Sequence, residues 1–132
     1  MRNLGNTDMI IKEVGFGGIP IQRVTQEDTN KVIDELINQG INFIDTARGY
    51  TVSEEYIGNA LEGRREKFYI ATKSMSRSYD DMKKDIDISL KNLKTDYIDL
   101  YQIHNLKIEE YSTIFDEDKA YRALVGQKKR GK

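Results

Sequence analysis

Short apolar runs rich in β-branched residues alternate along this chain with longer stretches whose apolar positions recur every three to four residues. The first kind reads as strand and the second as helix, and their alternation reads as β/α units on a parallel sheet. Arg2 to Ile11 reads as a small hairpin around Gly5-Asn6-Thr7. Val14-Gly15-Phe16-Gly17 is the first core strand, and a helix over Gln26 to Gln39 follows. Thr25 and Asp28 form a capping pattern at its start, Gly40 sits where a terminating glycine belongs, and Val32, Ile33, Leu36 and Ile37 form its apolar face. Asn42 to Asp45 is the second strand. A second helix starts at Ser53, with Glu54 and Glu55 in its first turn and Ile57 and Leu61 facing inward. Phe68 to Thr72 is the third strand. The next helix is capped by Ser78 with Asp81 and carries Met82, Ile86, Leu90 and Leu93 on one stripe. Tyr97 to Ile103 is the fourth strand, and Asp116 to Lys129 a fourth helix with Ala120, Ala123 and Leu124 inward. The intervening Asn105 to Phe115 reads as a polar connector, with an active-site lid as the alternative.

Four units of about 30 residues make a (βα)₄ repeat. A doubly wound open sheet is the alternative, but its G-x-G-x-x-G fingerprint is absent, and Gly15-Phe16-Gly17-Gly18 is only a loose glycine cluster. A closed (β/α)₈ barrel takes about 250 residues, and this chain has 132. The expected fold is therefore α/β: one partial domain over 1–132, the first half of a barrel preceded by a hairpin.

Composition narrows the function. Charged residues make up 33% and hydrophobic residues 38%, with a net charge of −1, which fits a soluble globular domain and gives no nucleic-acid footprint. Lys128, Lys129, Arg130 and Lys132 read as the last turn of a helix, where cations suit the dipole. Without cysteine, the chain has no disulfide, thiol chemistry, iron–sulfur ligation or ordinary structural zinc site, and no metal is expected. Met1 to Leu4 lacks an apolar signal region, and no run suits a membrane, so the expected location is cytoplasmic.

Parallel sheets of this kind place their chemistry at the C-terminal ends of strands. There the sequence puts Asp45, Lys73 and His104, with Tyr50 a few residues beyond Asp45. Each has a plain reading alone: Asp45 as a loop or capping acid, Tyr50 as a loop aromatic, Lys73 as a solvated strand end, the lone His104 as a structural residue. As a set they make chemical sense. A carboxylate keeps a buried Lys charged, and that charge favours the phenolate of a neighbouring Tyr, which makes its hydroxyl a ready proton donor. A neighbouring His can hydrogen-bond the same oxygen. Such a site suits addition of hydride to a carbonyl, with the hydride coming from a cofactor.

The runs Val14 to Gly18, Phe43 to Tyr50, Ser53 to Leu61, Ile70 to Lys73 and Asp96 to His104 together resemble the aldo-keto reductase family, across essentially the whole chain. Gly17 to Gln22 with Thr46 to Tyr50 and His104-Asn105 is similar to a bacterial branch, some of whose longer members append an iron–sulfur module. The resemblance implies Tyr50 as proton donor, Lys73 and Asp45 as its tuning pair, and His104 as the carbonyl-orienting partner. It implies NADPH, or NADH, with Gly17, Gly18, Ile19 and Asp45 at the cofactor, and a small aldehyde or ketone as substrate.

The resemblance also implies strands five to eight and most of the cofactor surface beyond Lys132. The expectation is a reductase fragment, inactive alone, with open edges at its first and fourth strands and the faces of Val14, Phe16, Phe43, Ile70, Ile98 and Leu100 lacking an opposing layer. Self-association through those edges, or a non-catalytic assembly module pairing with a second half, is the companion reading, and a binding protein that keeps the fold without the chemistry is the third. No nucleic acid or membrane is expected as partner.

Overall fold

A computed structural model describes residues 1–131. Lys132, the last of the expected basic turn, lies outside the described residues. The hairpin forms as read: β1 (Arg2–Asn3) pairs antiparallel with β2 (Ile10–Ile11), and Gly5 turns the chain at φ +56°. There follow β3 (Phe16–Gly17), α1 (Gln26–Asn38), β4 (Phe43–Asp45), α2 (Ser53–Ala60), β5 (Tyr69–Ser74), α3 (Tyr79–Asn92), β6 (Leu100–Ile103) and α4 (Ala120–Lys129). The four later strands form one parallel sheet in chain order, β3-β4-β5-β6, and successive helices pack beside one another.

The helix signals hold in detail. Thr25 Oγ1 accepts from the Asp28 N–H and Ser78 Oγ from the Asp81 N–H, so each side chain satisfies one of the first free amides of its helix. Gly40 closes α1 at φ +64°. The ends of the strands differ from the reading, each for a local reason. Only Phe16 and Gly17 join the ladder, and Val14 is 64% exposed. Asn42, just before β4, still accepts the Tyr69 N–H through its carbonyl, while its side-chain amide bonds Lys12 N and Ile10 O and ties in the hairpin. β6 begins at Leu100 because the Asp99 carboxylate takes the Ile70 N–H while also pairing with Arg65. α4 begins at Ala120, since Ala120 N donates to Arg77 O and residues 116–119 turn instead.

Alternation along the strands sorts the side chains. Ile44 and Ile70, cross-strand partners, are fully buried with Ile33, Ile57 and Met82 between sheet and helices. Ile98 joins the same core. This corrects the expectation that Phe16, Ile70 and Ile98 face the barrel interior: the strand period puts Ile70 on the helix side, Phe16 lies there as the ladder partner of Ile44, and Ile98 packs in the same cluster. Phe43, Asp45, Tyr69, Lys73, Leu100 and Gln102 are half-buried and occupy the other face.

Candidate active site

Asp45 ends β4, with Gly17 and Ala71 as ladder partners, and Lys73 lies two residues beyond Ala71 in β5, beside Gln102 of β6. His104 follows β6, and its N–H donates to Ser74 O at 2.8 Å. Tyr50 sits in the tight turn between β4 and α2. The Arg48 N–H donates to Lys73 O, the Tyr50 N–H to Ala47 O, and Thr51 takes φ +42°.

The structure brings all four predicted residues together, with Lys73 at the centre. Its Nζ lies 2.6 Å from Asp45 Oδ2, donates to Thr46 O at 2.9 Å, and stands 5.1 Å from the centroid of the Tyr50 ring. The Lys73 side chain is 12% exposed, so its charge is held largely out of water by the carboxylate and the carbonyl. The Tyr50 and His104 rings meet edge-to-face, with centroids 5.8 Å apart. Burial pushes the His104 imidazole below its ordinary value of 6.5, the positive Lys73 lowers it further, and Asp45 opposes both. His104 is thus a neutral ring near pH 7. Its Nδ1 is buried and has no partner among the described residues, so only the opposite side of the ring can meet an incoming group.

The proposed cofactor residues divide. Gly18 is buried, and its N–H and C=O are taken by Asp45 O and Ser53 Oγ. A Cβ on Gly18 would come within 2.8 Å of Ser53 Oγ, so the glycine is needed for packing. Gly17 has open space where a Cβ would point, beside Asp45 in the ladder, and Ile19 is 47% exposed. Of this stretch only Gly17 and Ile19 are therefore accessible to a cofactor beside Asp45, and Gly18 serves the packing beneath them.

Three contributors were missed in the sequence reading. Gln102 donates to Asp45 Oδ1 at 3.2 Å and so fixes the carboxylate from its second oxygen. Its position two residues before His104, on the same face of the strand, was the available signal. Arg48 reaches to within 3.7 Å of Asp85 on α3, whose other oxygen accepts the hydroxyls of Ser74 and Ser76. Arg77 bonds the His104 carbonyl. Nothing local in the sequence announces either arginine. The connector after His104 is pinned by Glu110, which bonds both Arg77 and the Lys107 N–H, and by buried Ile114.

A four-stranded parallel sheet in chain order, helices over one face and a polar cluster at the strand ends together match one half of a β/α-barrel architecture. The chain belongs to the aldo/keto reductase family, whose model matches residues 13–132. Among curated relatives, the uncharacterized oxidoreductase YqkF of Bacillus subtilis is 38% identical over 83% of this chain and 40% of its own length. L-galactose dehydrogenase of Arabidopsis thaliana is 33% identical over 100% of this chain and 46% of its own. The holo form of an aldo-keto reductase from Bacillus halodurans superimposes with a TM-score of 0.86 at 33% identity, covering 98% of this chain and 46% of that one. The chain thus spans less than half the length of each of these three relatives. No helix among the described residues is long and apolar enough to cross a membrane.

Proposed function

We propose that this chain supplies the proton-donating half of a carbonyl reductase site dependent on NADPH or NADH. The observation that carries the reading is Lys73 seated between Asp45 and the Tyr50 ring with His104 against the same ring. Gly17, Ile19 and Asp45 would hold one edge of the cofactor, which when bound supplies the hydride for the carbonyl carbon. Tyr50 donates its hydroxyl proton to the carbonyl oxygen as negative charge develops there. The Lys73 ammonium, kept charged by Asp45, stabilises the phenolate that remains. Neutral His104 donates a hydrogen bond to the same oxygen and orients the carbonyl. The substrate class is a small aldehyde or ketone.

The test is consumption of NADPH or NADH, followed by absorbance, against a panel of aliphatic and aromatic aldehydes and ketones. Carbonyl-dependent oxidation of the cofactor supports the reading. Its absence across the panel with the cofactor bound, in a preparation that also holds the other half of the site, overturns it.

A second reading is favoured by one observation. A groove of about 380 Å³ lies along the β6 edge, lined by Ile98, Leu100, Tyr101, Tyr121, Leu124 and Val125. It suits docking of a further β/α layer, from a second copy or from a separate partner half. Molar mass by light scattering tests the pairing of two copies: a dimer or larger species supports it, and a monomer at high concentration opposes it.

A further inference from the structure

Arg77 stands in the loop between β5 and α3, away from the four clustered residues, yet its guanidinium has four acceptors. Nη1 donates to Met75 O at 2.9 Å, Nη2 to His104 O at 2.8 Å and to Asn105 O at 3.1 Å, and Nε to Glu110 Oε1 at 2.9 Å. These acceptors belong to three separate segments: the end of β5, the residues just past β6, and the connector that follows. Asn105, next to His104, takes φ +50°, a left-handed conformation that asparagine accepts more readily than most residues. The Arg77 fork takes both carbonyls of the turn immediately after His104 and ties them to the end of β5. Glu110 completes the arrangement. One oxygen receives Arg77 Nε, the other the Lys107 N–H, and Arg77 holds the Glu110 carboxyl below its usual range. A planar guanidinium with five directed donors can serve four acceptors at fixed angles, and a lysine ammonium on a flexible stem cannot.

We propose that Arg77 is a positioning residue for His104: by clamping the carbonyls of Met75, His104 and Asn105 together, and being braced by Glu110, it sets where the imidazole stands at the strand ends. The role assigned to His104 in carbonyl reduction rests on the reading above, while the clamp itself does not. His104 is the only histidine in the chain, so its imidazole resonances are unambiguous.

The experiment records the imidazole ¹H–¹⁵N signals of the wild-type chain, Arg77→Lys and Arg77→Gln, with melting curves alongside. The clamp predicts that both variants shift or broaden the His104 signals while the chain still melts cooperatively, because Lys keeps the charge and loses the fork. If Arg77→Gln fails to fold, Arg77→Lys decides alone. Wild-type signals in Arg77→Lys, whatever Arg77→Gln does, overturn the proposal, since charge alone would then suffice. In a protein shown to reduce carbonyls, Arg77→Lys should lower kcat by about tenfold through misplacement while the Kd for NADPH stays unchanged. An unchanged kcat beside shifted imidazole signals would overturn the catalytic consequence of the clamp. Absence of reduction in the wild type would sink the reductase reading and leave the imidazole result standing.

Discussion

Gly58 decides how closely α2 approaches α3, and replacing it with alanine tests the packing of the layer that supports the site. A Cβ built there would lie 2.7 Å from both the carbonyl carbon and the Cα of Leu93, and closer still to Asn92 O. These are backbone atoms at the end of α3, and Leu93 is itself 1% exposed, so no side chain can swing aside. In an open helix, glycine to alanine gains about 1 kcal/mol of propensity. Here the two helices must separate, and overpacking of this kind costs about 1–3 kcal/mol. Loosened contacts of Ile57, Leu61 and Leu93 add to that cost, and the expected net effect is a loss of about 1–3 kcal/mol. Gly126 is the matched control. It lies inside α4, and its nearest atom to a built Cβ is Tyr79 Oη at 3.8 Å, an ordinary contact. Gly126→Ala should therefore stabilise by up to about 1 kcal/mol. Urea denaturation of both variants, with unchanged m-values, gives the two free energies. If Gly58→Ala equals or exceeds Gly126→Ala in stability, the close α2–α3 contact is wrong.

Two further outcomes follow from titrating groups that folding shields in part from water. Folding lowers the proton affinity of His104, with burial as the main cause, so the unfolded chain takes up the proton first as pH falls through about 6.5. The stability that neutral His104 contributes is fully present above that value and is lost below it, down to the lower folded value. His104→Gln should flatten that part of the stability-versus-pH curve, and an identical curve in the variant would contradict the assignment. Burial also pushes the Tyr101 hydroxyl far above its ordinary value of 10, with Glu54 and Asp85 adding to the effect against the Ser89 hydrogen bond. In an absorbance titration, Tyr101→Phe should remove the component that ionises last and leave the early component intact.

Much of this site was legible because strand alternation and strand ends are written locally. Asp45, Lys73 and His104 each close an apolar run, so a parallel sheet was enough to align them, and Tyr50 is carried by the turn that Asp45 begins. The caps at Thr25 and Ser78 were equally local. What could not be read were choices made between distant segments. Asp99 takes the Ile70 amide and shortens β6, and the Asn42 side chain ties the hairpin to the start of β4. Arg77 fixes the loop of His104 through partners up to 33 residues away, as with Glu110, and Arg48 comes near Asp85 without a hydrogen bond to it. The faces of Ile70 and Ile98 were misassigned because an isoleucine suits either side of a sheet covered by helices. Only the register with Ile44 settles the side on which Ile70 lies.

The central claim is that Tyr50 delivers the proton, and the most direct measurement is carbonyl reduction by Tyr50→Phe at saturating NADPH, with cofactor binding determined in parallel by fluorescence. The variant removes one hydroxyl and keeps the ring against Lys73 and His104. With Tyr50 as the donor, kcat falls by about 10²–10⁴-fold, the usual worth of a positioned general acid, and the Kd for NADPH is unchanged. Reduction at the wild-type rate by Tyr50→Phe would contradict that role and would move the proton to another donor.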